Sequence, residues 1–365
     1  MSDHPYRNRP AWTRWRHAVV ECDELDPMTE PPFTFGPKTA VVTAGSCFAQ
    51  HIGRRLAAEG FNYLVTEPAH PMMSPGAAAR LGYGIYSALY GNIYTPRQRV
   101  QLFDRVYGRF EPREDVWRDG NGAVVDPFRP QIQPQGFNGE KELALDRERH
   151  FRAVREAFET LDVFVFTMGL TEAWRSRVDG AVFPLCPGVA GGVFDRKKHE
   201  FVNFDVETVV ADTRAFLQRL RSVNPSAKVI LTVSPVPLMA TAEDRHVLVS
   251  TVYSKSVLRV ACDVLSRERN VTYFPAYEIV ASGFGGDYFA EDRRSVTEDG
   301  VDHVMRVFSR HFLRQSRSTG VLQRAWALFS EKRATTEQKV ATVKRAVGVM
   351  CDEEALGRFS DAKKD

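Results

Sequence analysis

The chain has 365 residues, of which 43% are hydrophobic and 26% are charged. This composition is ordinary for a globular enzyme and excludes wholesale disorder and fibrous repeats, while the length predicts one large domain with a smaller appendage. A formal net charge of +3 is too small to indicate a nucleic-acid partner. The five cysteines form no CxxC pair, so neither a disulfide framework nor a structural zinc site is predicted.

The start of the chain does not resemble a signal peptide. Met1-Ser2-Asp3-His4-Pro5-Tyr6 lacks an apolar stretch behind a basic start. No stretch of about 18 apolar residues, the length needed to span a bilayer, occurs anywhere in the sequence. These features predict a cytoplasmic protein without a membrane partner.

Residues 1–37 are rich in proline, arginine and tryptophan and are predicted to form an arm lying across the domain. Residues 39–44 are β-branched and apolar, and the apolar residues Phe48, Ile52 and Leu56 follow with helical spacing. This pattern predicts a strand, a turn and a helix. A second strand is predicted at residues 61–66.

The remaining chain alternates strand and helix patterns after a long insertion at residues 68–150, which is interpreted either as a cap over one end of the sheet or as decoration without function. The predicted elements are strands at 162–168, 228–233 and 271–279, helices at 206–223 and 250–267, and a last core helix with Thr297 as N-cap. About five strands alternating with helices predict an α/β fold with a parallel sheet covered on both faces. Residues 316–365 are predicted to form a helical extension that either serves packing or oligomerisation, a homodimer being possible, or is a solvated and partly frayed helix.

A candidate nucleophile follows the first strand. Ligands of open parallel sheets bind beyond the carboxyl ends of the strands. In Gly45-Ser46-Cys47 the glycine permits a tight turn, and Ser46 lies near backbone N–H groups that could stabilise an oxyanion. Serine before a helix is most often only an N-cap, so both interpretations stay open here.

Polar residues follow two further strands. Thr171 and Glu172 come after the strand at 162–168, and Glu172 is interpreted as a base, a positioning group or a carboxylate at a helix start. His246 follows the strand at 228–233 and brings a titratable imidazole to the same edge of the sheet.

A charged cluster precedes the last helix. Asp292, Arg293 and Arg294 either bind an acidic substrate or pair with one another. No group of histidine, aspartate or glutamate residues has metal-ligand spacing, and no His-x-x-x-His motif surrounds His246 or His303. Neither a metal nor another cofactor is therefore predicted.

The run Gly45-Ser46-Cys47-Phe48-Ala49 is accompanied by further motifs in order along the chain. They are Gly91-Asn92-Ile93-Tyr94, Gly169-Leu170-Thr171-Glu172-Ala173-Trp174, Ser234-Pro235-Val236, Ser254-Lys255 and Tyr273-Phe274-Pro275-Ala276-Tyr277-Glu278. Over roughly residues 38–315 the chain resembles the GSCFA family, which is similar to the SGNH or GDSL-like hydrolases. The resemblance implies a three-layer, flavodoxin-like fold with Ser46 at the nucleophile position.

The resemblance also implies an oxyanion hole. SGNH hydrolases supply a glycine and an asparagine to it from their second and third conserved blocks, so Asn92 is a candidate donor with Gly91 beside it. The third block here begins at Gly169 but lacks the usual asparagine, and Thr171 or Glu172 stands near its place.

The fifth block departs from the family pattern. Counting from Asp292, the position of the catalytic histidine is occupied by Ser295, which cannot act as a base near neutral pH. His246, on a loop at the correct end of the sheet, is the preferred replacement, whereas His303 is expected to be exposed on a helix surface. Otherwise Glu172 or Asp292 moves the proton, or the site binds without reacting.

The sequence thus predicts hydrolysis of an ester-linked acyl group on a glycan or another hydroxylated metabolite. Ser46 would attack the carbonyl, Asn92 and the Ser46 backbone N–H would hold the oxyanion, and His246 or an acidic neighbour would take the proton. The alternatives are an O-acyltransferase that uses the same site, and a non-catalytic module in which the cap, Arg293 and Arg294 hold a sugar or acidic ligand.

Overall fold

The computed structural model describes residues 4–20, 24–284, 287–314 and 351–356. The predicted helical extension at 316–365 lies outside the described residues except for 351–356. The chain divides into two compact units, a larger one formed by Thr39–Phe274 with Gly348–Asp365 and a smaller one formed by Met1–Lys38 with Pro275–Val347.

The regular elements follow in chain order. The strands are β1 Val41–Gly45, β2 Trp117–Arg118, β3 Val124–Val125, β4 Val163–Met168, β5 Glu172–Ser176, β6 Val182–Phe183, β7 His199–Asn203, β8 Lys228–Val233 and β9 Val271–Phe274. The helices are α1 Trp15–Ala18, α2 Ala49–Ala58, α3 Pro75–Arg80, α4 Pro96–Val106, α5 Glu140–Thr160, α6 Val206–Val223, α7 Val247–Leu265, α8 Ala276–Ala281 and α9 Glu298–Phe312. None of these helices is long and apolar enough to cross a membrane.

The main sheet of the larger unit is parallel, with the strand order β1-β4-β8-β9. Its strands are short apolar runs; β1 and β4 are buried along their whole length and β8 after its first residue, the pattern of strands that carry helices on both faces. The α/β fold with a parallel sheet is therefore confirmed, as are the strands predicted around residues 162–168 and 228–233.

The described sheet has four strands, so the prediction of about five is wrong by one. The segment 61–66 makes a single bridge, from Tyr63 to Val41. The Leu64 N–H still donates to the Val41 carbonyl, but the Thr66 N–H donates to the carbonyl of Ser87 outside the sheet, so the segment leaves the sheet there. The last strand is also shorter than predicted, because it ends at Phe274. The next residue, Pro275, has no N–H to donate to the sheet and is the N-cap of α8.

The strand order reverses at β1. If the Tyr63 bridge is counted as the second strand, the order becomes 2-1-3-4-5, which is the flavodoxin-like order. Because crossovers between parallel strands are right-handed, chain segments that run to opposite sides of β1 place their helices on opposite faces. Helix α2 therefore lies on one face and α5 on the other, and in folds of this strand order ligands bind beyond the carboxyl ends of the strands that correspond to β1 and β4.

The helical layer next to β4 includes α4, α5 and α6. Phe103 of α4 packs against Phe158 of α5 and Phe216 of α6, with ring centroids 5.5 and 6.3 Å apart. Phe164 of β4 lies 5.4 Å from the ring of Phe216. Since α4 lies inside the insertion at 68–150, this part of the insertion contributes to the core.

A buried arginine lies inside this layer. Arg99 of α4 has no exposed surface, and its guanidinium carbon lies 3.7 Å from the ring centroid of Phe166 and 4.1 Å from that of Phe216. None of its three side-chain nitrogens has a hydrogen-bond partner among the described residues. Burial lowers the pKa of Arg99 to about 9, so its positive charge is held at a cost in desolvation.

We expect Arg99→Met to raise the free energy of unfolding by about 1–3 kcal/mol, because an apolar side chain of similar length removes a buried charge that makes no hydrogen bond. Urea denaturation at pH 7 measures the change. Arg97→Met is the matched control on the same helix, since Arg97 binds Asp212 at 2.8 Å and its loss should not stabilise the protein. A larger loss of stability for Arg99→Met than for the control would contradict the prediction.

A second, antiparallel sheet follows β4, with the order β6-β5-β7. Trp174 of β5 is paired with Phe183 of β6 and Phe201 of β7. Glu172 is the first residue of β5, so the interpretation of Glu172 as a carboxylate at a helix start is wrong. The tertiary pairing with β7 overrides the local preference of this short segment.

The smaller unit contains helix α9. Its helix α9 begins at the predicted N-cap, where Thr297 Oγ1 accepts a hydrogen bond of 3.3 Å from the Gly300 N–H. Phe35 of the N-terminal segment bridges to Leu313 after α9, and its ring packs against Phe308. The N-cap prediction is therefore confirmed.

His303 is not an exposed surface residue, contrary to the prediction. Only 1% of its surface is accessible, and its two ring nitrogens lie 2.7 Å from the Tyr288 hydroxyl and 2.8 Å from the Leu25 carbonyl oxygen. A buried imidazole with both nitrogens satisfied is a packing residue. The partners come from distant positions in the chain, so the helical spacing around His303 carried no sign of them.

Candidate active site

Gly45 shapes the turn that follows β1. Its φ of 143° lies in the region that favours glycine. A Cβ atom at this position would lie 2.8 Å from the carbonyl carbon of Thr167 on β4 and would overlap the attached oxygen. The close approach of β1 and β4 at the switch point, where the strand order reverses, therefore requires glycine at position 45.

Ser46 begins the turn into α2, as the sequence predicts. Its N–H donates to the Thr167 carbonyl at 3.0 Å, and its carbonyl accepts from the Ala49 N–H at 2.9 Å. The strand, turn and helix around Ser46 are confirmed. The Ser46 N–H already donates to the sheet, so in this structure it is not free to hold an oxyanion.

The hydroxyl of Ser46 is buried without a hydrogen bond. The residue is 3% exposed, and its Oγ has no hydrogen-bond partner among the described residues. Buried hydroxyls are nearly always paired, so an unpaired one calls for a specific explanation. Ser46 lines a cavity of about 10 Å³, which is space for about one water-sized group.

The cavity of Ser46 lies at the carboxyl ends of β1, β4 and β8, where ligands of this class of fold bind. Its walls also include one residue of α7 and one of the segment 351–356. The lining residues are Ser46, Cys47, Tyr94, Gly169, Leu170, Ser234, Val236, Pro237, Leu238, Lys255 and Glu353.

Gly169 lies directly against Ser46. A Cβ atom on Gly169 would lie 3.0 Å from the Ser46 Cβ and 3.0 Å from Cδ1 of Tyr94. The structure thus brings Ser46 and Gly169 together, and the absence of a side chain at Gly169 allows Ser46 and Tyr94 to pack against its backbone. The Gly169 N–H already donates to the Tyr94 carbonyl at 2.9 Å.

Lys255 places a buried amino group in the wall of this cavity. It is 2% exposed, and its Nζ donates to the Gly169 carbonyl at 2.6 Å. The Ser254-Lys255 motif was recognised from the sequence but carried no predicted role. A buried ammonium group beside the cavity stabilises negative charge that develops there.

Glu353 and Asp352 come from a segment that was predicted to belong to a helical tail. Glu353 lines the cavity of Ser46, and its Oε1 accepts a hydrogen bond of 3.4 Å from the Met239 N–H. The Asp352 N–H donates to the Tyr94 hydroxyl at 3.0 Å. Nothing in the local sequence pattern indicated this placement, because these contacts join residues more than a hundred positions apart.

Asn92 is buried but does not line the cavity of Ser46. Its Oδ1 accepts hydrogen bonds from Gln50 Nε2 at 3.3 Å and from the Tyr86 hydroxyl at 3.4 Å, and its Nδ2 donates to Asp352 Oδ2 at 3.2 Å. Gly91, with a φ of 68°, forms the turn before it. The Asn92 amide, which is predicted to donate to an oxyanion, therefore donates to the Asp352 carboxyl group of the same chain.

Burial raises the pKa of Asp352 to about 7, from an ordinary value of 3.8. The folded protein then binds a proton that the unfolded chain releases above about pH 4. The contribution of this bound proton to the free energy of unfolding is therefore fully present below about pH 4 and is lost as the pH rises through 7. We expect the free energy of unfolding to fall by about 1 kcal/mol per pH unit between pH 5 and 7, measured by urea denaturation.

Asp352→Asn is the control for this pH dependence. The amide is neutral at every pH and has nearly the shape of the protonated carboxyl group, so the variant should lose this part of the pH slope. Equal slopes for the wild type and the variant would show that another group titrates.

A buried histidine and carboxylate pair occurs elsewhere in the larger unit. His150 Nδ1 lies 2.8 Å from Glu67 Oε2. Burial lowers the pKa of His150. For Glu67 burial opposes ionisation, but the hydrogen bonds from His150 and the Leu89 N–H, together with nearby positive charge, outweigh it and lower the pKa. The neutral imidazole therefore donates from Nδ1. His150 lines a cavity of about 30 Å³ together with Asn92, not the cavity of Ser46.

His246 caps a helix. It is exposed, and its Nδ1 accepts the Leu248 N–H at 3.1 Å as the N-cap of α7. His246 is not among the residues that line the cavity of Ser46. The imidazole predicted to activate Ser46 is thus occupied as a helix cap.

Thr171 and Glu172 lie at the start of β5. Thr171 donates from Oγ1 to Asn203 Oδ1 at 2.7 Å, and Glu172 Oε1 accepts from Thr241 Oγ1 at 2.7 Å. Burial raises the pKa of Glu172. Glu172 does not line the cavity of Ser46 but the larger pocket beside it.

Asp292, Arg293 and Arg294 belong to the smaller unit and form a turn before α9. Asp292 Oδ2 accepts the Ser295 hydroxyl at 2.6 Å, and its Oδ1 accepts the N–H groups of Arg294 and Ser295. Although burial acts in the opposite direction, these hydrogen bonds lower the pKa of Asp292. Arg293 is exposed, with a φ of 56°. Among the described residues of both units, no group of three or more histidine, cysteine, aspartate or glutamate side chains is placed so that it could hold a metal ion.

The sequence matches the model of the GSCFA family over residues 40–308. No functionally curated protein matches it. Among solved structures, a carbohydrate esterase family 3 protein from Talaromyces cellulolyticus is similar, with 10% sequence identity and a TM-score of 0.33. The similarity covers 74% of this chain and 95% of that chain. The matched range includes every residue that lines the cavity of Ser46 except Glu353.

Proposed function

The chain belongs to the GSCFA family, and we propose that it uses Ser46 as a nucleophile to cleave an ester-linked acyl group from a glycan or another hydroxylated metabolite. The observation that carries this proposal is the Ser46 hydroxyl, which is buried, unpaired among the described residues and adjacent to a cavity at the switch point of the sheet. A hydroxyl kept free of hydrogen bonds at this position is available for an incoming carbonyl group.

The chemistry follows from the cavity walls. The Ser46 Oγ attacks the ester carbonyl carbon, and the Glu353 carboxylate takes its proton. The Lys255 ammonium group stabilises the oxyanion. When the carbon–oxygen bond to the alcohol breaks, the proton passes from Glu353 to the leaving alkoxide. Water, activated by the same carboxylate, then cleaves the acyl-Ser46 ester and restores the serine.

Labelling with a fluorophosphonate tests the nucleophile directly. We expect stoichiometric labelling of the full-length protein, located at Ser46 by peptide mass spectrometry, and none in Ser46→Ala. Ser222→Ala is the control, since Ser222 is an exposed serine on α6. A folded wild-type protein that takes up no label and hydrolyses no ester would refute the proposal and favour a non-catalytic binding module.

Product analysis distinguishes hydrolysis from transfer. The acyl-Ser46 intermediate is the same in both reactions, and only its acceptor differs. Incubation of an activated ester with added sugar alcohols, followed by mass spectrometry, shows whether the free acid or a new ester accumulates. A new ester as the main product would assign the protein to the acyltransferases.

A further inference from the structure

A larger pocket lies beside the cavity of Ser46 and shares three of its walls. Its volume is about 270 Å³, and its shared residues are Leu170, Leu238 and Glu353. The other lining residues are Glu172, Ala173, Trp174, Pro184, Leu185, Cys186, Val189, Phe201, Ala240, Thr241, Ala242 and Leu356. Most of these side chains are apolar, so the pocket is suited to a hydrocarbon group.

The aromatic wall of this pocket comes from the antiparallel sheet. Trp174 of β5 and Phe201 of β7 are paired in register, with ring centroids 5.7 Å apart. Cys186 also lines this pocket, and burial raises the pKa of its thiol to about 12. The thiol therefore stays protonated near neutral pH and acts as a small apolar surface rather than as a nucleophile.

The few polar groups of the pocket are already satisfied. Glu172 accepts the hydroxyl of Thr241 at 2.7 Å, and Glu353 accepts the Met239 N–H at 3.4 Å. A hydrocarbon chain can therefore enter without leaving either carboxyl group unpaired, which would otherwise cost binding free energy.

We propose that this pocket binds the acyl chain of the substrate, and that the acyl group is an apolar one of about six to eight carbons. This inference rests on the proposed function of Ser46. A cavity of about 150 Å³ is enough for benzene, so a pocket of about 270 Å³ accommodates a longer chain. The small cavity takes the carbonyl group, and the shared walls guide the chain outward.

The acyl chain rather than the alcohol fits this position for a chemical reason. In covalent catalysis the acyl group stays attached to Ser46 through both steps, whereas the alcohol must leave after the first. A pocket that adjoins the nucleophile and makes no contact with the departing alcohol stabilises both transition states. The alcohol then faces solvent, which is compatible with a bulky glycan.

The first experiment compares p-nitrophenyl acetate, butyrate, hexanoate, octanoate and dodecanoate with the full-length protein. We expect kcat/KM to rise about two- to fourfold per methylene group up to about eight carbons, and to fall for dodecanoate. A parallel series of acetate esters with lengthening alcohols should show no such rise. A flat acyl series, or a rise confined to the alcohol series, would overturn the acyl pocket.

A filling substitution locates the effect. Leu356→Trp places a large ring in the pocket and should lower the ratio of octanoate to acetate kcat/KM at least about tenfold, because several methylene contacts are lost. Glu354→Trp is the matched control in the same segment, since Glu354 is exposed and does not line the pocket. An unchanged ratio in Leu356→Trp would contradict the inference.

Binding separates this inference from the proposed function. Octanoate should bind to Ser46→Ala, as measured by calorimetry, and about tenfold more weakly to Ser46→Ala carrying Leu356→Trp. If octanoate binds but Ser46 takes no label, the reaction is refuted and the pocket stands. If Ser46 is labelled but octanoate binds no better than acetate, the pocket is refuted and the reaction stands.

Discussion

Ser46→Ala is expected to lower kcat/KM for p-nitrophenyl esters by at least about 10³-fold while leaving the fold intact. The variant removes the attacking oxygen, and losses of this size or larger follow the removal of a nucleophilic serine in other hydrolases. Because the Ser46 hydroxyl has no hydrogen-bond partner among the described residues, its removal leaves no other buried group unsatisfied. We therefore expect the Tm to change by no more than a few degrees.

Ser222→Ala is the control for Ser46→Ala. Ser222→Ala, on the surface of α6, should retain the wild-type rate and Tm. Circular dichroism and thermal melting of all three proteins show whether any loss of rate reflects unfolding. A Ser46→Ala protein that melts like the wild type and keeps its rate within about tenfold would exclude Ser46 as the nucleophile.

Gly45→Ala is expected to lower the free energy of unfolding by more than about 4 kcal/mol, enough to leave much of the protein insoluble. Two costs add at this position. The φ of 143° is unfavourable for any residue with a side chain, and the new Cβ would overlap the Thr167 carbonyl group of the adjacent strand. Relief would require β1 and β4 to separate, which breaks the parallel pairing beside Ser46.

Gly60→Ala separates these two costs. Gly60 also has a positive φ, of 76°, but a Cβ atom there would meet no heavy atom within 4 Å. Its substitution should cost only about 1–2 kcal/mol, from the backbone conformation alone. Urea denaturation measures both variants, and soluble yield serves where Gly45→Ala does not fold. Equal losses for the two variants would show that the contact with Thr167 is not what requires glycine.

The arrangement around Ser46 couples the site to the segment 351–356. Glu353 lines the cavity of Ser46, Leu356 lines the larger pocket, and Asp352 holds the amide of Asn92. Because burial raises the pKa of Asp352 to about 7, the pH range that ionises this carboxyl group also weakens the hold of the segment. The stability that this segment contributes is therefore expected to fall between pH 5 and 7.

Much of the fold could be predicted from the sequence, because it depends on local patterns. Short apolar runs such as β4 and β8 are distinctive by themselves, and the sequence determined their place and their parallel pairing. Thr297 was recognisable as an N-cap from its own side chain. Gly45 and Ser46 were recognisable because a glycine and a serine between a strand and a helix define a turn within a few residues.

The tertiary structure alone decided which groups surround Ser46. The Ser46 N–H is used by the sheet because β4 lies alongside, His303 is buried because Tyr288 and Leu25 close over it, and Glu353 enters the cavity from a segment that looked like a tail. Each of these outcomes depends on contacts between residues that are distant in the chain. Periodicity and capping depend only on residues close in the chain, so the sequence determined the position of Ser46 in its turn, and the packing decided which residues surround it.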